Sequence, residues 1–137
     1  MYIDKLLELA DAQALTATGN TTNTIDLGSD RDVGNGRTLW LVLSLDVAPD
    51  GTTGDETYVF TLTTDDNSSF SSATTILTQT VVRGAAAGTR YVMAIPSANE
   101  RYLRGTFTLG GTTPSVTYSA WVTSQEPTAW AAYPDAL

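Results

Sequence analysis

The sequence predicts an all-β domain, an antiparallel β-sandwich or barrel, and three observations carry that prediction. Seven segments alternate apolar and polar residues with a period of two, the repeat of a strand that buries one face. Turn residues separate these segments, and no helical pattern lies between them to supply crossover helices. The chain has 137 residues, 42% hydrophobic and 16% charged, a one-domain length that can build a core without a metal or disulfide staple. On this reading the sandwich occupies residues 21–123, with an N-terminal arm or short helix over 1–20 and a C-terminal extension over 124–137.

Taken in order, residues 3–14 are ambiguous. Ile3, Leu6, Leu7, Ala10 and Ala14 fall on a helical stripe, so the segment reads as a short helix or as an extended arm that the β-fold does not need. A weak strand over 22–27 leads into a glycine-rich loop, 28–36. Residues 39–47 are a clear strand, with Leu39, Leu41, Leu43, Leu45 and Val47 predicted to be core. In the next strand, 57–64, Tyr58, Phe60 and Leu62 share one face, and the other is largely threonine, a β-branched residue suited to a sheet surface. Strands over 76–82, 90–95, 102–109 and 115–122 follow, with Leu103, Phe107 and Leu109 on one face and Val116, Tyr118, Ala120 and Val122 on another. By the same parity Trp40 and Trp121 point outward and call for a second layer or a partner. The tail 124–137 is neither strand nor helix, and Trp130, Tyr133 and Leu137 need a surface to bury them.

Composition narrows the function classes. The chain contains no Cys and no His, so the most readily activated nucleophile and the side chain that titrates near neutrality are both missing. No nucleophile or base motif takes their place, and no carboxylate pair stands out as a glycosidase pair, so the chain reads as a non-enzyme that binds or builds. It is also expected to carry no cofactor and no metal. The absence of Cys fits folding in a reducing cytoplasm. Fifteen acidic residues against seven basic give a net charge of −8, a surface that repels phosphate backbones and argues against a nucleic-acid partner. The N-terminus has no signal-peptide pattern, and no apolar run approaches a membrane span.

Several polar clusters invite functional readings. Asp65 and Asp66, followed by Asn67, offer oxygen ligands for a hard cation, but without the spaced ligand series of an EF-hand loop, and a turn held by Asx hydrogen bonds explains them more simply. Asp30-Arg31-Asp32 reads as an exposed ion-pair loop, and Asp50, Asp55 and Glu56 as a solvated hairpin connection. Arg83, Arg90, Arg101 and Arg104 hold most of the positive charge in the C-terminal half, which marks a docking face or plain solubility with local pairing to Glu100. Trp40, Tyr102, Trp121, Trp130 and Tyr133 offer a sugar-binding platform as an alternative.

Several motifs, in order, resemble a known family. Met1-Tyr2-Ile3-Asp4-Lys5-Leu6-Leu7 with Asp11-Ala12-Gln13-Ala14 is similar to the N-terminus of the small capsid cement proteins of tailed bacteriophages, the Bordetella-phage type. So are Ile25-Asp26-Leu27-Gly28, Arg31-Asp32-Val33-Gly34-Asn35-Gly36 leading into Leu39-Trp40-Leu41-Val42, Phe60-Thr61-Leu62-Thr63-Thr64-Asp65, and Glu100-Arg101-Tyr102-Leu103-Arg104. The resemblance runs to about Val122. It implies a jelly-roll-like sandwich on the outer surface of an icosahedral phage shell, made in the host cytoplasm, that bridges neighbouring major capsid protein subunits as a homo-oligomer, a dimer or trimer. The partner interface expected on this basis comprises Tyr2, Ile3, Leu6, Leu7, Arg101, Arg104, Trp121, Trp130 and Tyr133. The runner-up is a carbohydrate-binding module of a phage or cell-surface protein.

Overall fold

A computed structural model describes residues 3–29, 38–96 and 100–125. Among the described residues a 3-10 turn at Lys5–Leu7 is followed by nine strands: β1 (Glu8–Leu15), β2 (Gly19–Asn20), β3 (Ile25–Asp26), β4 (Trp40–Val47), β5 (Thr57–Asp65), β6 (Thr74–Val81), β7 (Arg90–Ala94), β8 (Tyr102–Gly110) and β9 (Val116–Thr123). They form two antiparallel sheets, ordered β1-β9-β4-β7 and β2-β8-β5-β6, with β3 also paired to β8. Since β2 and β3 line the same edge of β8, they act as two halves of one interrupted strand. Counted so, the order is first-eighth-third-sixth facing second-seventh-fourth-fifth, which is a jelly roll. The expected all-β, jelly-roll-like sandwich is what the chain forms.

The core lies between the sheets. β4 gives it Leu41, Leu43 and Leu45, β9 gives Val116, Tyr118, Ala120 and Val122, and β5 gives Tyr58, Phe60 and Leu62, all buried. Phe60, Phe107 and Tyr118 meet edge to face, with centroids 4.9 to 6.0 Å apart. Gly105 makes room for them, because a Cβ there would stand 2.5 Å from Phe60 Cζ and 2.6 Å from Thr21 Cγ2. Gln13 joins the two sheets at one end: its Nε2 donates to the Asn20 carbonyl, and its Oε1 accepts from Thr22 N–H and the Tyr118 hydroxyl.

The structure corrects the sequence reading in four places. Residues 8–15 are neither helix nor free arm; they form β1, paired with β9, and Leu9 and Ala10 are buried in the core. The sandwich therefore starts near Glu8 rather than at residue 21. Two register shifts, between Glu8 and Ala10 and between Ala10 and Gln13, break the alternation, so adjacent residues point inward and the apolar spacing imitates a helix. Val47 is 55% exposed, not core, because the ladder shifts between Leu45 and Val47 and turns it outward. The strand expected over 22–27 shrinks to two residues, and β2 was not foreseen.

Candidate interaction surface

The N-terminal turn presents apolar side chains to solvent. The Asp4 carboxylate accepts the Leu6 N–H and starts the turn, the Asp4 carbonyl accepts the Leu7 N–H, and Leu7 packs against the core. Anchored this way, Ile3 and Leu6 stand out at 47% and 81% exposure. An ion pair from Lys5 to Glu8 holds the turn to the start of β1 and raises the Lys5 pKa. Beside it lies an open groove of about 510 Å³, lined by Leu6, Glu8, Thr22, Asn23 and Asp26 among others. Asn23, one of its lining residues, is fixed by its N–H, which donates to the Leu9 carbonyl at 2.9 Å.

Asp26 links this groove to the arginine corner. Arg101 grips it with two hydrogen bonds, Nε to Oδ1 at 2.8 Å and Nη2 to Oδ2 at 3.0 Å, a fork geometry that only Arg offers. The Arg101 guanidinium, with help from the Gly28 N–H, pulls the Asp26 pKa down to about 2. Arg101 also lies 4.9 Å over the Tyr102 ring, and Arg104 lies 4.1 Å over Phe70. Phe70 and Tyr102 touch edge on, 6.5 Å between centroids, so the two arginines rest on one aromatic base. The Arg104 Nε is buried without a hydrogen bond.

The loop that positions Phe70 is the acidic cluster read as a cation candidate. Asp65 is fully buried, and its two oxygens accept Asn67 N–H at 2.9 Å and Ser72 N–H at 2.8 Å. These bonds hold its carboxyl below the usual range. They fold residues 65–72 into a turn that forces Phe70 to φ 53° and under Arg104. Among the described residues no group of three His, Cys, Asp or Glu side chains is placed to hold a metal.

Of the expected interface residues, Leu6 lines the groove, Arg101 reaches its rim by pairing with Asp26, Arg104 lies further along β8 over Phe70, Ile3 is exposed just before the turn, and Leu7 is partly buried against the core. Arg101 pairs with Asp26, the partner that sequence reasoning missed. Arg83 and Arg90 lie elsewhere, at the connection between β6 and β7. Trp121 takes the outward parity expected, since Ala120 and Val122 point to the core, yet it is 5% exposed with its Nε1 buried and unbonded. Its cross-strand neighbour Val42 and its strand neighbour Thr123 are buried as well, so the centre of this outer face is covered and Trp121 presents no free ring. Glu56 is not solvated as expected; it is 2% exposed and accepts N–H bonds from Thr53 and Gly54. Tyr2, Trp130, Tyr133 and the Asp30-Arg31-Asp32 loop lie outside the described residues.

Comparison with known proteins adds a family. The sequence model of Bbp16 matches residues 9–122, from β1 to the penultimate residue of β9. No curated protein matches. Among solved structures, the chain is similar to the Clostridium thermocellum endo-1,4-beta-D-xylanase 10B CBM22-1-GH10 modules, with 16% identity, TM-score 0.45, and 93% of this chain and 30% of that one covered. It is also similar to a chain in the structure of infectious bursal disease virus Gx strain, with 19% identity, TM-score 0.31, and coverage of 85% and 29%. The chain spans about a third of the length of each.

Proposed function

The chain belongs to the Bbp16 family, and from that premise we propose that it is a structural cement or decoration protein that binds the outer surface of an icosahedral phage shell and clamps neighbouring major capsid protein subunits. The observation that carries this reading is the family match, which covers the sandwich from Leu9 to Val122 and includes strands whose motifs resemble phage cement proteins. On this reading the chain works as a homo-oligomer, takes no nucleic acid or membrane as partner, needs no cofactor and catalyses nothing.

The clamp is physical. A ligand that binds only the joined state of two subunits raises the cost of parting them by mass action, and repetition over a shell makes weak contacts count. Exposed Ile3 and Leu6 supply apolar docking area beside a polar groove, and Arg104 supplies a cation on a rigid base. Trp130 and Tyr133 extend the docking surface in this proposal. The alternative of a sugar platform is the weaker one, because Trp121 is buried and both Asp65 oxygens are engaged by the backbone.

Co-sedimentation with phage heads that lack the protein tests the proposal. The wild-type chain pellets with heads, and Leu6→Asp, which places a charge on an 81% exposed apolar side chain, binds less without loss of fold. A chain that stays in the supernatant at every head concentration overturns the proposal.

A further inference from the structure

A sandwich has open edges, and natural sheets blunt them because unpaired N–H and C=O groups recruit other strands. Three of the four edges here are blunted. β1 carries two register shifts, a positive φ at Ala12 and the acids Glu8 and Asp11. β2 and β3 are two residues each, with the Asn20 carbonyl bonded by Gln13. β7 is five residues long and opens with Arg90. The fourth edge, β6, is eight residues long, reads TTILTQTV and carries no charge on a chain of net charge −8. Its one irregularity, an extra residue at Ile76, lies near its start and leaves Leu77 to Val81 in unbroken register against Leu62 to Tyr58. Among the described residues no strand pairs with its outer side, and Thr78 and Thr80 are exposed.

We propose that β6 is a self-association edge: it pairs antiparallel with β6 of a second copy across a two-fold axis through Gln79, joining two sheets into one. The sequence is self-complementary in that register. Antiparallel pairing about residue 79 sets Thr78 opposite Thr80 of the second copy and Leu77 opposite its Val81. Parity is kept, so the Leu and Val meet on the inner face, where Leu77 and Val81 already oppose Leu62 and Tyr58, and the threonines meet on the outer face. On the axis the two Gln79 amides meet; at present the Gln79 Nε2 is turned back to its own Thr80 carbonyl at 2.7 Å. A second copy is the occupant that charge favours. Two chains of net charge −8 repel over most of their surface, and β6 lets them touch with no acid facing another. An edge of this length buries little area, so the dimer is weak and concentration-dependent.

This inference rests on the homo-oligomer part of the function proposed above. Its test is sedimentation velocity of the full chain up to about 1 mM, a range suited to weak association, on wild type, T78E/T80E and T78E/T80K. Wild type forms a dimer. T78E/T80E faces Glu with Glu at both outer pairs and raises the dissociation constant about tenfold or more. T78E/T80K faces Glu with Lys and restores a dimer that weakens with salt. In the unaltered chain, hydrogen exchange at Leu77–Val81 slows as concentration rises. If T78E/T80E dimerises as well as wild type, the edge is wrong while self-association stands. If T78E/T80K stays monomeric while wild type pairs, the register through Gln79 is wrong. Wild type monomeric throughout, with concentration-independent exchange, overturns both the edge and the homo-oligomer, whereas head binding is decided separately by co-sedimentation.

Discussion

Gly105 shows how one missing side chain sets a core. Its position on β8 faces Phe60 and Thr21, and a Cβ there would clash with them at 2.5 and 2.6 Å. Gly105→Ala therefore overpacks the aromatic centre and costs about 1–3 kcal/mol, read as a lower urea midpoint with an unchanged slope. Asp26 makes a second residue-scale case. Its pKa is lowered to about 2 from 3.8, chiefly by the Arg101 hydrogen bond. A carboxylate with a depressed folded pKa contributes stability that is fully present above its unfolded value and is lost as pH falls through the folded one. The stability difference between wild type and Asp26→Asn is thus constant above about pH 5 and shrinks towards pH 2; denaturation curves across that window check it, and a difference that grows on acidification contradicts the pairing. Neither feature is legible in the sequence: Asp26 and Arg101 are 75 residues apart, and the closeness of Thr21 to Gly105 arises only when β2 and the segment after it line β8.

At the scale of the element, regular alternation made strands readable and irregularity hid them. β4, β5, β8 and β9 follow a period of two through their cores, and the sequence reading places each to within about two residues, the ordinary error at strand ends. β1 escaped because its bulges place Leu9 and Ala10 inward together, and a bulged strand and a short helix leave the same apolar spacing in a sequence. β2 and β3 are too short to have a pattern and exist through their pairing with β8. The corrected boundary changes what truncation does. Removing residues 1–14 takes away most of β1 with buried Leu9 and Ala10, and the chain loses its cooperative thermal transition. Removing residues 1–6 leaves every strand and a melting curve close to that of wild type. Within β1, Leu9→Ala empties a fully buried site and costs about 2–5 kcal/mol by denaturant titration. Equal stability for all these chains would mean that β1 is the free arm its apolar spacing suggests.

Across the whole molecule, charge and shape divide the labour. Net charge −8 makes the copies repel over most of their surface, and the features suited to contact are local: exposed Ile3 and Leu6, the groove beside Leu6, the arginine corner on Phe70 and Tyr102, and the uncharged edge of β6. Arg101 and Arg104 were legible as contact candidates because Arg stands out on an acidic chain. Their support was not, since Phe70 reaches Arg104 only through a turn that the buried Asp65 carboxylate folds. Sequence reasoning offers Leu7 as a contact residue from its place in the N-terminal segment and Trp121 from the outward parity of its strand, and the fold packs the one, partly buried, against the core and covers the other. The central claim is that the chain holds a phage shell together, and the most direct measurement is the melting temperature of DNA-filled heads stripped of the protein, before and after adding it back. The account predicts that add-back raises the temperature of head disruption in a saturable way, and that Leu6→Asp does so less at equal concentration. Binding to heads with no change in their disruption temperature would contradict it, and would leave a decoration that clamps nothing.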